Sequence, residues 1–346
     1  MEYKNILVNA LVNLGDVILM TSALDLIKKN FPDVKITALV KPVVKDALID
    51  NPVVDDVIIF DYKPRVSTFK QMREMVSEIR RRKFDLSISF DRKLRPALLT
   101  FLACIPKRVG PSKVFDDVKS RVTILYTDVI KITHDLNKTL QAETYQEIVR
   151  QFFKIEGHGT PQFPRTFSPK ANELINSLEV GKLKIALCVK GTFALKTWSK
   201  EYFAEVVKAL ADMYDAEFFV VGAPNDKDYA DEVIAGMNIA VKNFCGETTL
   251  TDLAEIFRRI DLFITVDTGS AHIAATTQVK MVTIFGCTPL ERWRPINPNA
   301  ISLTSNEKCC PCKIQPEECP SYPTPNCLYR VTPDAVIAAA VELLDN

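Results

Sequence analysis

Several groups of residues have types and spacings that could carry chemistry. The richest is Asp267-Thr268-Gly269-Ser270-Ala271-His272, which follows the apolar run Asp261-Leu262-Phe263-Ile264-Thr265-Val266. A strand that turns through a glycine into a helix presents free backbone N–H groups and the positive end of the helix dipole. Such an end suits a diphosphate. Thr268 and Ser270 add hydroxyl donors, and His272 falls in the first helical turn. Asp267 when ionised only accepts hydrogen bonds, so it suits sugar or ribose hydroxyls. A capped helix with a core histidine accounts for the same residues.

In the segment Lys190-Gly191-Thr192-Phe193-Ala194-Leu195-Lys196-Thr197-Trp198, Gly191 allows close backbone approach. Thr192 and Lys196 could hold phosphate oxygens. Trp198 is expected to pack the loop rather than touch a ligand. In Gly222-Ala223-Pro224-Asn225-Asp226 the acidic residue argues for ribose recognition, although a capped helix start fits equally. Phe285-Gly286-Cys287-Thr288-Pro289 could close the same pocket. Near the N-terminus, Asp16 in Leu14-Gly15-Asp16 could be a helix cap or a general base for a hydroxyl nucleophile.

Of nine cysteines, Cys104, Cys188, Cys245 and Cys287 lie in or beside apolar segments and read as small core residues. Cys310, Cys312, Cys319 and Cys327 have C-x-C-x6-C-x7-C spacing. Four thiolates there could bind a structural zinc or iron, and in a reducing compartment metal is a better reading than disulfides. A reduced, loop-packing cluster is the alternative.

These residues need elements to position them. Apolar strands are expected at residues 4–10, 34–40, 57–60, 86–90 and 108–110. Helices are expected at 17–30, 42–49, 69–83, 94–104 and 137–153. After a Gly- and Pro-rich stretch at 154–182, with a helical piece at 171–178, the pattern restarts. Strands are expected at 184–189, 217–222, 261–266 and 281–286, and helices at 199–214, 226–235, 250–260 and 332–344. Strands alternating with helices imply parallel sheets covered on both faces. The expected fold class is therefore α/β, with two doubly wound Rossmann-like halves and a cleft between them. Their expected bounds are 1–160 and 161–346, with the last helix able to pack back on the first half. The candidate residues fall at carboxyl ends of strands, where such sheets bind ligands.

The 346 residues suit two domains, and the 25% of charged residues suit a globular chain. No apolar run approaches the roughly 18 residues of a membrane span. The N-terminus lacks a signal-peptide pattern, so a cytoplasmic location is expected. Residues 1–160 hold 26 Lys and Arg against 20 Asp and Glu, and residues 161–346 hold 18 against 23. A basic first half could face an anionic partner. Its clusters are Arg80-Arg81-Arg82-Lys83 and Arg92-Lys93 with Arg95. The second follows a strand's carboxyl end, so Arg92 and Arg95 are the candidate acceptor contacts. No P-loop, no G-x-G-x-x-G and no aromatic–basic repeat is present, which argues against NTPases, standard dehydrogenases and nucleic-acid partners.

Taken together, these segments resemble the heptosyltransferase family (family 9 of the inverting glycosyltransferases), and within it the lipopolysaccharide heptosyltransferase II branch. The resemblance runs in order through residues 14–19, Asn51-Pro52-Val53-Val54-Asp55-Asp56-Val57, Lys196-Thr197-Trp198, Gly246-Glu247-Thr248-Thr249-Leu250, 267–272 and Phe285-Gly286-Cys287-Thr288. It implies a GT-B fold and inverting, metal-independent transfer of heptose from ADP-heptose. The implied acceptor is a lipopolysaccharide inner core, with peripheral contact at the inner membrane surface. By resemblance, Asp16 is the base, and Lys196 and Thr192 are donor-phosphate ligands. Asp267, Thr268 and Gly269 form the heptose and diphosphate site with His272 beside it, and Thr248 falls where backbone holds adenine. Cysteines like those here occur in that branch, and a cysteine-bound iron occurs in related autotransporter heptosyltransferases. Asp226 stands where relatives more often have Glu, Ser199 replaces a usual Pro, and Asn9 stands where many have Arg. A protein acceptor, another nucleotide sugar, or nucleotide-sugar binding without catalysis are the competing readings.

Overall fold

The computed structural model describes residues 3–62, 69–91, 93–113, 121–312 and 315–346. The chain divides into two compact units, Met1–Pro164 and Arg165–Asn346.

In the first unit the described strands are β1 (Asn5–Ala10), β2 (Lys35–Val40), β3 (Asp56–Ile59), β4 (Leu86–Ser89), β5 (Lys107–Pro111) and β6 (Asp128–Ile130). They form one parallel sheet in the order β3-β2-β1-β4-β5-β6. Its helices are α1 (Leu14–Asn30), α2 (Phe69–Arg81), α3 (Leu94–Leu102) and α4 (Gln141–Phe153). Five strands fall where the apolar runs predict them. The short edge strand β6 lies in the stretch that reads as irregular.

α1 is buried without a break from Val17 to Ile27. A helix apolar around its whole circumference must be covered on all sides. α4 packs along it, and the segment before the second unit closes over another part of its surface. The buried polar residues of α1 make that closure specific. Thr21 Oγ1 accepts from the Gln162 N–H at 2.7 Å, and Asp25 Oδ2 accepts from the Thr160 N–H at 2.8 Å. Gln146 of α4 brackets Gly159, accepting from its N–H and donating to its carbonyl. A Cβ on Gly159 would lie 1.9 Å from the Ser22 carbonyl oxygen, so only glycine allows this approach.

In the second unit the described strands are β7 (Leu183–Cys188), β8 (Ala216–Val220), β9 (Val241–Asn243), β10 (Leu262–Val266), β11 (Met281–Phe285) and β12 (Ala300–Thr304). They form a second parallel sheet in the order β12-β11-β10-β7-β8-β9. The helices are α5 (Pro169–Asn176), α6 (Lys200–Met213), α7 (Lys227–Ala235), α8 (Leu250–Phe257), α9 (Gly269–Thr277), α10 (Leu290–Trp293), α11 (Asn326–Tyr329) and α12 (Pro333–Asp345). Ser199, Thr249 and Thr332 each accept a backbone N–H at their helix starts. α12 packs against α6, β10, β11 and β12 of its own unit. Among the described residues no helix is long and apolar enough to cross a membrane.

Gly159→Ala should destabilise the chain by about 1–3 kcal/mol, the usual cost of forcing volume into a packed site. An unchanged denaturant midpoint would show that the closing segment yields without cost.

Candidate functional site

The chemistry of the second unit gathers at the carboxyl ends of its strands. β10 ends at Val266, and α9 begins at Gly269 with Thr268 in extended conformation as its N-cap. The Thr268 side chain does not cap the helix. Its hydroxyl pairs instead with Ser270 Oγ at 2.6 Å, and Ser270 reaches the buried Cys188 Sγ at the end of β7. The first-turn amides of α9 are therefore not satisfied by their own N-cap side chain, which is the arrangement an anion site needs.

Asp267 is nearly buried. Its Oδ2 accepts from Lys196 Nζ at 2.6 Å and from Thr288 Oγ1 at 2.6 Å. Lys196 comes from the loop after β7 and Thr288 from the loop after β11, so one carboxylate fastens three strand-end loops. An ammonium carries three donors, so the bond to Asp267 leaves Lys196 with capacity for a phosphate oxygen. Thr192, in the same loop, is exposed. Trp198 is buried and donates from Nε1 to the Leu328 and Val331 carbonyls at 3.2 and 3.0 Å. It packs the loop, as expected.

Asp226 is engaged on both oxygens. Oδ1 meets Lys190 Nζ at 3.0 Å, and Oδ2 accepts from the Ala223 N–H of its own turn at 3.0 Å. This geometry is that of a helix-start residue with a lysine partner. Thr248 is half-buried in the turn after β9. That turn depends on Gly246, whose φ is +78° and whose N–H donates to the Gly222 carbonyl. The loops after β8 and β9 are thereby joined.

His272 is buried in α9, and its Nδ1 has no hydrogen-bond partner among the described residues. Burial pushes its pKa down to about 4, with Lys196 adding to the effect and Asp267 opposing it. The imidazole is neutral at pH 7.

In the first unit, α1 starts at Leu14 with Asn13 as N-cap, so Asp16 stands inside the first turn rather than at the cap. Asp16 Oδ1 accepts from Tyr145 Oη of α4 at 2.9 Å. Tyr145 packs edge-on against Phe90, which follows β4. Lys41 follows β2, Asp91 follows β4, and both sense the charge of Asp16. Lys93 Nζ donates to the Leu11 carbonyl at 3.2 Å. The Lys41 pKa is lowered by burial and then by Lys93.

Arg92 lies outside the described residues. Arg95 sits with its guanidinium carbon 3.1 Å from the Tyr62 ring centroid, beyond β3. The other basic run has structural partners: Arg81 and Arg82 pair with Glu78, Arg82 also pairs with Asp56, and Arg80 donates to the Leu102 carbonyl. The reading of the sequence alone passes over Tyr145, Lys41 and Asp91. Lys41 and Asp91 carry a signal that could have found them, a charged residue directly after a predicted strand. Tyr145 carries none.

The C-terminal cysteines form a thiol cluster at the edge of the second core. The Cys310 thiol is pushed up by hydrogen bonding with Cys327 and then by burial. The Cys312 N–H donates to the Cys287 carbonyl at 3.0 Å. Among the described residues no group of three or more His, Cys, Asp or Glu side chains is arranged to hold a metal ion, so the tetrad of Cys310, Cys312, Cys319 and Cys327 gains no support as a metal site.

The family model of glycosyltransferase family 9 (heptosyltransferase) matches residues 72–322. The chain is 27% identical over 337 residues to lipooligosaccharide heptosyltransferase 2 of Campylobacter jejuni, covering 96% of each chain. Among solved structures it is similar to ADP-heptose lipopolysaccharide heptosyltransferase II of E. coli, with a TM-score of 0.80 at 20% identity over 98% of each chain. It is also similar to a family 9 glycosyl transferase of Veillonella parvula, with a TM-score of 0.84 at 23% identity over 99% of this chain and 98% of that one. The two parallel six-stranded sheets are those of the GT-B fold these structures share.

The lowered pKa of His272 has a consequence for stability. Between pH 6.5 and about 4 the unfolded chain binds a proton there that the folded chain does not. Stability contributed by this residue is full above pH 6.5 and falls as pH drops, by about 1.4 kcal/mol per pH unit within that window. The difference in unfolding free energy between the native chain and His272→Gln should follow that slope across the window. Parallel profiles would contradict the assignment.

Proposed function

The chain belongs to glycosyltransferase family 9, the heptosyltransferases, and from that membership we propose that it transfers heptose from ADP-heptose to a hydroxyl of a lipopolysaccharide-type core, inverting the anomeric centre. The observation that carries this reading is the Lys196–Asp267 pair beside the open first turn of α9. A cation and free amides together can receive a leaving diphosphate. The similarity to the E. coli enzyme, whose name gives ADP-heptose as its donor, supports the choice of donor.

In this reading Asp16 takes the proton of the acceptor hydroxyl. The freed oxygen electron pair forms the bond to the anomeric carbon as the bond from that carbon to the phosphate oxygen breaks. ADP leaves with those electrons. Lys196 and the amides of Gly269 and Ser270 stabilise the charge that develops on the departing phosphate, so Lys196 serves where other transferases use a divalent cation. Asp267 accepts from heptose hydroxyls, and the turn at Gly246–Thr248 holds the adenine. Asp226 is a weaker candidate for the ribose, because Lys190 and its own turn already engage both oxygens.

Tyr145 supports the role of Asp16. Its hydrogen bond to Oδ1 fixes the orientation of the carboxylate. The first unit would then hold the acceptor, whose sugars carry acidic groups at the inner membrane surface. Arg95, pinned over Tyr62, is placed to grip a phosphate or carboxylate. The C-terminal thiol cluster has no step in this reaction.

Purified protein offered ADP-heptose, ADP-mannose, UDP-sugars and GDP-sugars with a core acceptor should turn over the first far faster than the others. Preference for a uridine donor would overturn the reading. Asp16→Asn should keep the fold and nucleotide binding while losing roughly 100-fold or more of turnover. A variant with normal turnover would reduce Asp16 to a helix-start residue. Arg95→Ala should raise the acceptor KM, leave ADP affinity unchanged, and lose its effect at high salt. Equal acceptor KM at low salt would remove Arg95 from the acceptor site.

A further inference from the structure

Asp91 has no part in the reaction as described, yet it is fully buried directly after β4. Its Oδ1 accepts from the Lys93 N–H at 3.1 Å, and its Oδ2 has no hydrogen-bond partner among the described residues. Asn9 lies alongside on β1, in register with Ser89 of β4. It is equally buried, donates from Nδ2 to Ser89 Oγ at 2.6 Å, and leaves its own Oδ1 without a partner. The carboxyl ends of β1 and β4 therefore hold two buried oxygens without a hydrogen-bond partner among the described residues, one of them on an ionisable group. Native interiors rarely tolerate this without a reason.

We propose that Asp91 is a positioning residue for the transfer: its negative charge, buried beside Asp16 and balanced by Lys41 and Lys93, sets the basicity of Asp16. The proposal rests on the reading of Asp16 as the base. Two carboxyl groups that feel each other titrate as a unit, and an ionised neighbour raises the proton affinity of the other. A carboxylate that binds a proton more tightly is a stronger base.

The groups facing Asp91 fix the sign. Burial pushes its pKa up to about 6, Asp16 on α1 pushes in the same direction, and Lys93 and Lys41 oppose them. Tyr126, ahead of β6, donates to the Asp91 carbonyl at 3.4 Å. Burial holds its phenol up at about 12, so it stays neutral throughout. Tyr145 on α4 acts through its bond to Asp16. Below pH 6 Asp91 takes up a proton, Asp16 loses the neighbouring charge, and transfer slows. Above pH 6 Asp91 is ionised and Asp16 is the stronger base.

A purely structural Asp91 would only close the turn onto the Lys93 N–H. Asparagine closes the same turn without the charge, so Asp91→Asn separates charge from shape. Turnover from about pH 5 to about pH 9 should be measured with ADP-heptose and a core acceptor in the native chain, Asp91→Asn, Lys93→Gln and Asp16→Asn. Asp91→Asn should fold with undiminished thermal stability, keep its donor KM, lose about tenfold in kcat near neutrality, and lose the acid limb centred near pH 6. Lys93→Gln should move that limb upward, because a cation that favours the ionised form is gone. General damage to the site would not give these opposite shifts. A native kcat and pH profile in Asp91→Asn, with Asp16→Asn inactive, would overturn this inference alone. Full turnover in Asp16→Asn would overturn the base reading, and this inference with it.

Discussion

The second unit is built around one ion pair. Asp267 ends β10, Lys196 belongs to the loop after β7, Thr288 belongs to the loop after β11, and all three meet at a single carboxylate oxygen. Breaking a buried pair by removing one partner costs about 3–5 kcal/mol, because the remaining charge is left uncompensated. The loops are therefore held in register before any ligand arrives. Preorganised charge of this kind favours a transition state, since no reorganisation is needed as charge develops. The first turn of α9 is fixed by the same residues. Thr268 and Ser270 bond to each other and to Cys188, so the hydroxyls do not close off the helix amides.

The first unit solves a different problem. The carboxylate of Asp16 is held rigidly there. Rigidity comes from burial of α1 on every side and from Tyr145, itself locked against Phe90. Lys41, Asp91 and Lys93 follow neighbouring strands of one parallel sheet, so the strand order β2-β1-β4 itself brings them beside Asp16. The topology that makes the sheet also makes the electrostatic environment of the base.

Much of this is legible in the sequence, for identifiable reasons. Central strands such as β1 and β10 are continuous apolar runs because both faces are covered, and α8 and α12 begin with readable caps at Thr249 and Thr332. The edge strands β6, β9 and β12 are not legible. β6 and β9 are three residues long, and every residue of β9 and β12 is only half-buried, so neither length nor apolar pattern marks them. The site residues show the same division. Asp16, Lys196 and Asp267 announce themselves by type and position after strands. Of their partners, Thr288 lies in a loop that its position after a strand already marks, whereas Tyr145 reaches Asp16 only through the tertiary fold. The cysteine spacing suggests a metal tetrad, yet spacing along a chain does not fix convergence in space. Here Cys310 turns to Cys327, and Cys312 is tied by its backbone to Cys287.

The central claim is that the Lys196–Asp267 pair waits for the diphosphate of an adenine nucleotide. Calorimetric titration of ADP, UDP and GDP into the native chain and into Lys196→Ala tests it most directly. The account predicts that ADP binds best to the native chain and that Lys196→Ala weakens ADP by about tenfold or more, as the loss of a charge-assisted contact does. Equal ADP affinity in the two proteins, or tighter binding of UDP than of ADP, would contradict it.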